Sequence, residues 1–149
     1  MARYWEYTPM GISCPSGYPR KKGHTMPTVS LNHDTFESTV TDNSLVLVDF
    51  WASYCRPCHA FAPTYERSAQ AHPDVVHAKV DTQAEPELAA AAGVRSIPTV
   101  MAFRDGVLVY NQPGAMPSAV LEDLIGQMKS LDMDKVHATI AARKAATAG

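Results

Sequence analysis

The chain has 149 residues, enough for one domain with a hydrophobic core, and a formal net charge of −2. It contains no basic stretch typical of nucleic-acid binding, no apolar run of about 18–20 residues and no apolar segment typical of a secretory signal. Three cysteines are too few for the disulfide framework of a secreted domain, so we expect a cytoplasmic protein. We also expect a monomer that binds neither nucleic acid nor membrane.

The first 26 residues differ in composition from the remainder of the chain. They are rich in Pro and Gly, include the basic run Arg20-Lys21-Lys22, and show no apolar period of 2 or 3.6 residues. We expect a disordered or loosely attached extension over residues 1–26, one domain over 27–130, and a helical extension over 131–149. Cys14, the third cysteine, belongs to the first of these segments.

Strand and helix patterns alternate from residue 28 onward. Strands are expected at residues 28–31, 45–51, 75–80, 98–103 and 107–111, and helices at 34–40, 56–71, 86–92, 117–128 and 134–145. Asp34 with Glu37 predicts a cap at the start of the first helix, and Pro63 predicts a kink in the second helix. Gly93 predicts the end of the third helix, and Arg104-Asp105-Gly106 predicts a hairpin. The order predicts an α/β fold with a mixed sheet of about five strands, four flanking helices and an extra C-terminal helix.

A Cys-x-x-Cys motif, Cys55 to Cys58, stands where the apolar strand 45–51 ends and a helix begins. The N–H groups and positive dipole end of that helix face the first sulfur and favour its thiolate, the form that attacks disulfides. The pattern predicts reversible dithiol–disulfide exchange. The alternative is a structural zinc pair, which needs four ligands, and the sequence has no second Cys-x-x-Cys or His-x₃-His.

Asp49 is an acidic residue inside the apolar strand Leu45-Val46-Leu47-Val48-Asp49-Phe50. Burying a charged carboxylate costs several kcal/mol, so a buried Asp would have a raised pKa. Such a group could take a proton from Cys58 during disulfide exchange. The alternative is a solvated Asp at the strand end.

Four segments together resemble the thioredoxin family: Val48-Asp49-Phe50-Trp51-Ala52 before the motif, Lys79-Val80-Asp81, Gly93-Val94-Arg95-Ser96-Ile97-Pro98-Thr99, and Gly114. The resemblance covers about residues 28–129. It implies the thioredoxin fold, a cis peptide before Pro98 next to the cysteines, and reduction of protein disulfides. It also implies NADPH-dependent thioredoxin reductase as electron donor, with no bound cofactor and a redox-active Cys55–Cys58 disulfide.

The resemblance also implies roles for individual residues. Cys55 would be the nucleophile and Cys58 the resolving cysteine, assisted by Asp49 and its partner Lys79. The substrate groove would be lined by Trp51, Tyr54, Arg56, Pro57, Ile97, Pro98 and Gly114. For three of these residues a plain structural reading stays open: Trp51 as core, Lys79 as a surface lysine, and Pro98 as a strand-edge proline.

Two residues depart from the family pattern. Arg56 stands where the family usually has Gly, and Tyr54 where it usually has Trp. Because of Arg56, two alternative functions stay open: a thiol–disulfide exchange protein with a more oxidising potential, and a reductase dedicated to one partner. A further alternative is a binding or chaperone-adaptor module in which the cysteine pair is incidental.

Overall fold

The computed structural model describes residues 28–147, so the expected N-terminal extension and Cys14 lie outside the described residues. The elements, in order, are β1 Thr28–Ser30, α1 His33–Asp42, β2 Leu45–Trp51, α2 Arg56–Ala71, β3 Val76–Asp81, α3 Pro86–Ala91, β4 Thr99–Arg104, β5 Val107–Pro113, α4 Ser118–Ser130 and α5 Met133–Thr147. This is the predicted order. None of the described helices is long and apolar enough to cross a membrane.

The strands form one mixed sheet in the order β1-β3-β2-β4-β5. The β1–β3 and β3–β2 pairs are parallel, and the β2–β4 and β4–β5 pairs are antiparallel. β3 and β4 each begin one residue later than predicted. Val75 instead bonds back to the His72 carbonyl in a turn, and Pro98 has no N–H to donate to the ladder. β2 lies at the centre of the sheet, which explains why all of its residues except Asp49 are apolar.

The core has two halves, one on each face of the sheet. Leu45 and Leu47 of β2 pack on the face covered by α2 and α4, where Phe61 and Tyr65 lie. The alternate residues of β2 pack on the opposite face with α1 and α3: Val46, Val48 and Phe50. Because successive side chains of a strand point to opposite faces, Asp49 falls on the α2 side.

The predicted hairpin is present, with Asp105 and Gly106 as its two central residues. Their φ angles of 50° and 79° suit the tight turn that matches the twist of paired strands. Gly93 follows α3 with a φ of 75°, and its N–H bonds the Ala90 carbonyl, as expected of a helix-ending glycine.

The predicted cap of the first helix is wrong. Asn32, not Asp34, is the N-cap: its Oδ1 accepts from the backbone N–H groups of Asp34 at 2.9 Å and Thr35 at 3.0 Å. The Thr35 hydroxyl accepts from the Asn32 N–H at 3.0 Å and takes the place expected of a Glu or Gln side chain. The helix therefore begins one residue earlier than predicted, at His33.

Candidate active site

The two cysteines lie where β2 passes into α2. Cys55 is the N-cap of α2, and its Sγ accepts a hydrogen bond from the Cys58 N–H at 3.3 Å. Pro57 stands in the first turn, where a missing N–H costs nothing because those groups have no partner within the helix. Cys55 and Cys58 form a disulfide with their Cα atoms 5.3 Å apart. Sulfurs bonded to each other cannot both serve as thiolate ligands, so the geometry gives no support to the zinc alternative.

The disulfide is enclosed by neighbouring side chains. The exposed fractions of Cys55 and Cys58 are 6% and 3%, so Cys55 is slightly the more exposed and both residues are buried. Ala52 is fully buried beside the pair, and Trp51 and Ile97 pack against it. A partner of the oxidised protein therefore reaches the sulfurs only through this small exposed part of the two cysteines, which we call the opening.

A proline loop borders the disulfide on the β4 side. The Ile97–Pro98 peptide is cis, as the resemblance implied, and Pro98 is buried. The Gly114 N–H donates to the Pro98 carbonyl at 2.7 Å, which ties the segment after β5 to this loop. Gly114 has a φ of 102°, a conformation that a residue with a Cβ rarely adopts. Three distant parts of the sequence thus meet at the disulfide.

Asp49 is a buried carboxyl group on the α2 side of the sheet, not a solvated residue at a strand end. It is 1% exposed, and neither carboxylate oxygen has a hydrogen-bond partner within residues 28–147. Burial raises its pKa from 3.8 to about 7, against the opposing attraction of Lys79. The acid is therefore poised to exchange a proton near neutral pH.

Lys79 is the direct neighbour of Asp49 on β3, so both side chains leave the same face of the sheet. Its Nζ lies 4.9 Å from the centre of the Trp51 ring, within the range of a cation–π contact. Trp51 and Lys79 are both half-buried. Lys79 thus contacts the Trp51 ring and attracts the Asp49 carboxylate, so it is not a freely solvated surface lysine.

Sequence reasoning missed a hydrogen-bonded support of the loop between β2 and α2. The His59 Nε2 donates to the Ser53 carbonyl at 2.6 Å, and the Ser53 hydroxyl donates to the Gln83 Oε1 at 2.7 Å. The Trp51 carbonyl accepts from both the N–H and the hydroxyl of Thr82. The segment after β3 and the first turns of α2 therefore hold the loop from two sides. No sequence spacing links these residues.

The remaining predicted groove residues lie on the outside of the site. Tyr54 is 71% exposed, the largest value among the large apolar side chains of the described residues. Arg56 and Pro57 are also exposed. Of the predicted residues, Trp51, Cys55, Cys58 and Ile97 share one cluster, and hydrogen bonding connects Pro98 to Gly114.

Comparisons with known proteins agree with this geometry. The family model described as Thioredoxin matches residues 27–127. The chain is 54% identical to "Putative thioredoxin 2" of Streptomyces coelicolor, over 79% of this chain and 88% of that protein. It is 43% identical to thioredoxin 1 of Synechococcus elongatus, over 61% and 87%.

Solved structures give the same result. A mutant thioredoxin from Halobacterium salinarum is 35% identical with a TM-score of 0.65, over 73% of this chain and 98% of that one. Thioredoxin F from spinach chloroplast is 32% identical with a TM-score of 0.64, over 69% and 94%. The chain therefore belongs to the thioredoxin family and is a thiol–disulfide oxidoreductase with Cys55–Cys58 as its redox-active disulfide.

Proposed function

We propose that this protein reduces disulfides of other proteins in the cytoplasm, as a monomer without a bound cofactor, and that NADPH-dependent thioredoxin reductase returns it to the dithiol form. The observation that carries the proposal is the position of the Cys55 Sγ, at the N-cap of α2 and beside the Ile97–Pro98 loop. The helix terminus stabilises a thiolate, and the loop lies beside the exposed part of the disulfide that a substrate must reach.

In the first step the Cys55 thiolate attacks one sulfur of the substrate disulfide. A Cys55–substrate disulfide forms, the substrate S–S bond breaks, and the other substrate sulfur leaves as a thiolate that takes a proton from water. The positive end of α2 favours the attacking thiolate, because the Cys58 N–H already points at this sulfur in the oxidised form.

In the second step Cys58 attacks the Cys55 sulfur and releases the second substrate thiolate. Cys58 must first lose its proton, and Asp49 accepts it, through water. The support for this role is that Asp49 is buried on the α2 side of the sheet with a pKa of about 7, so both protonation states are populated at neutral pH. Lys79 keeps that pKa from rising further. Two electrons pass to the substrate, and the Cys55–Cys58 disulfide is restored.

The substrate lies along the loops that surround the disulfide. An extended segment pairs with the backbone at Ile97, next to Pro98, as an added strand would. Trp51, Tyr54 and Gly114 line the same groove, and Arg56 and Pro57 form its edge beside Cys55. The exposed Tyr54 ring supplies apolar contact area where the family usually has Trp.

Insulin reduction tests the proposal, with dithiothreitol or with NADPH and thioredoxin reductase as the electron source. Cys55→Ser abolishes reduction, whereas Cys58→Ser accumulates a mixed disulfide because attack still occurs without resolution. Cys14→Ser is the matched control and keeps full activity. Normal turnover by Cys55→Ser would show that the roles are wrong. A natural protein that leaves insulin oxidised would favour the adaptor alternative.

A further inference from the structure

The opening around the disulfide has an unbalanced charge. Residues 51–58 and 94–98 supply the side chains packed on the disulfide, residues 113–117 include Gly114, which bonds to Pro98, and the charged side chains of these three segments are Arg56 and Arg95. Arg56 directly follows Cys55, and Arg95 stands two residues before Ile97, which packs on the disulfide. Both are exposed, and neither guanidinium has a hydrogen bond or ion pair within residues 28–147. The residues around the disulfide thus include two cations, one next to Cys55 in the chain and one two residues from Ile97, and neither has a counter-charge within residues 28–147.

Two carboxylates near the same edge of the sheet lie on the β3 side of β2. Asp81 ends β3, and its Oδ1 accepts from the backbone N–H groups of Gln83 and Ala84. The Glu85 Oε2 accepts from the His33 N–H. Glu87 is an exposed residue of α3, whose Leu88 packs with Met101 and Phe103 of β4. Because β2 separates β3 from β4 in the sheet, Asp81 and Glu85 lie away from the Ile97–Pro98 loop, and the charged residue of residues 94–98 is Arg95.

We infer that this opening selects disulfides flanked by carboxylate side chains, so that the preferred substrates are acidic protein segments. The inference rests on the proposed function, because it names the substrate class of the same site. A guanidinium suits this task, since its planar set of donors can hold a carboxylate through two hydrogen bonds. Both arginines are exposed to solvent, so each attraction is modest: two unit charges about 6 Å apart in water give about a threefold effect.

Three peptides test the inference. Each contains one disulfide and the same sequence, apart from residues beside the cysteines that are Glu, Gln or Lys. At low ionic strength, where the Debye length is about 30 Å, we expect kcat/KM for the Glu peptide to exceed that for the Gln peptide about tenfold. The Lys peptide is slower than the Gln peptide, and the preference shrinks as salt is added.

Variants show whether the two arginines cause the preference. Arg56→Gln and Arg95→Gln each lower the Glu-to-Gln ratio about threefold, and the double variant brings it close to one. Arg67→Gln is the matched control: Arg67 is exposed on the same helix, about 16 Å beyond Arg56, and its loss removes the same charge. The control keeps most of the ratio, because its charge lies much farther away than the distance of about 6 Å used for the two arginines.

Comparing two peptides within one variant cancels any effect of Arg56 on the reactivity of Cys55. A ratio near one in the natural protein, or an equal loss in Arg67→Gln, would overturn the inference. Failure of the proposed function has a different signature, because the neutral Gln peptide would then not be reduced at all.

Discussion

Replacing Asp49 by Asn removes a buried titratable group and should change how stability depends on pH. The carboxyl has a pKa of about 7 in the folded protein against an ordinary value of 3.8. Between these values the folded state keeps a proton that the unfolded chain has released, so stability is highest below about pH 4 and falls as pH rises through 7. A separation of about three pKa units corresponds to a decrease of about 4 kcal/mol in the free energy of unfolding. The amide of the Asp49→Asn variant does not titrate, so the free energy of unfolding of the variant does not decrease with pH in this way.

The substitution also carries a constant cost. The Asn amide places a buried N–H donor where the Asp49 oxygens have no partner within the described residues, and an unsatisfied donor costs about 1–3 kcal/mol at any pH. The diagnostic quantity is therefore the change with pH. The stability of Asp49→Asn relative to the natural protein should rise by about 4 kcal/mol between pH 4 and 8.

Urea unfolding of the oxidised proteins measures this difference, because the disulfide keeps both cysteines from titrating. Asp134→Asn, at an exposed position in the first turn of α5, is the control and should show no such rise. A difference that stays constant from pH 4 to 8 would refute the reasoning, since Asp49 would then ionise alike in the folded and unfolded states. In the insulin assay, Asp49→Asn should also slow turnover near neutral pH, because Cys58 loses its proton acceptor.

Three further predictions concern other parts of the chain. Lys79→Met removes the cation that opposes the effect of burial, so the pKa of Asp49 should rise above 7. In the same urea experiments, the fall in the stability of this variant should then extend to higher pH than in the natural protein. A fall centred at the same pH in both proteins would contradict the coupling between Lys79 and Asp49. Arg56→Gly should lower the redox potential by about 15–30 mV, because the cation stabilises the reduced Cys55 thiolate; titration against a glutathione buffer measures it, and an equal or higher potential in the glycine variant would contradict the charge argument. Deleting residues 1–26 should leave Tm and insulin reduction nearly unchanged, since that segment has no core-forming pattern; loss of folding would show that it packs on the domain.

Local patterns in the sequence were enough to predict most of the fold. β2 is an apolar run because both of its faces are buried, and α2 begins at the Cys-x-x-Cys motif, as predicted. The hairpin was predictable because Gly106 adopts a positive φ that other residues resist. The cis peptide before Pro98 came from the family resemblance, since cis bonds are uncommon even before proline.

The tertiary structure decided which polar groups meet. Asn32 and Asp34 are both capable caps, and only the path of the chain between β1 and α1 places the Asn32 oxygen over the first N–H groups. His59, Ser53 and Gln83 meet because β3 pairs with β2, and their hydrogen-bonding capacity is shared by many other residues of the sequence.

The burial and the charge of the site residues also depend on the tertiary structure. The sequence by itself determined the chemistry available, two thiols at a helix N-terminus and an acid in an apolar strand. Only packing raised the pKa of Asp49, because desolvation requires α2 to cover that face of the sheet. Only the pairing of β2 with β4 brought the loop of Arg95 and Ile97 to Cys55, since residues about forty positions apart have no local interaction that would join them.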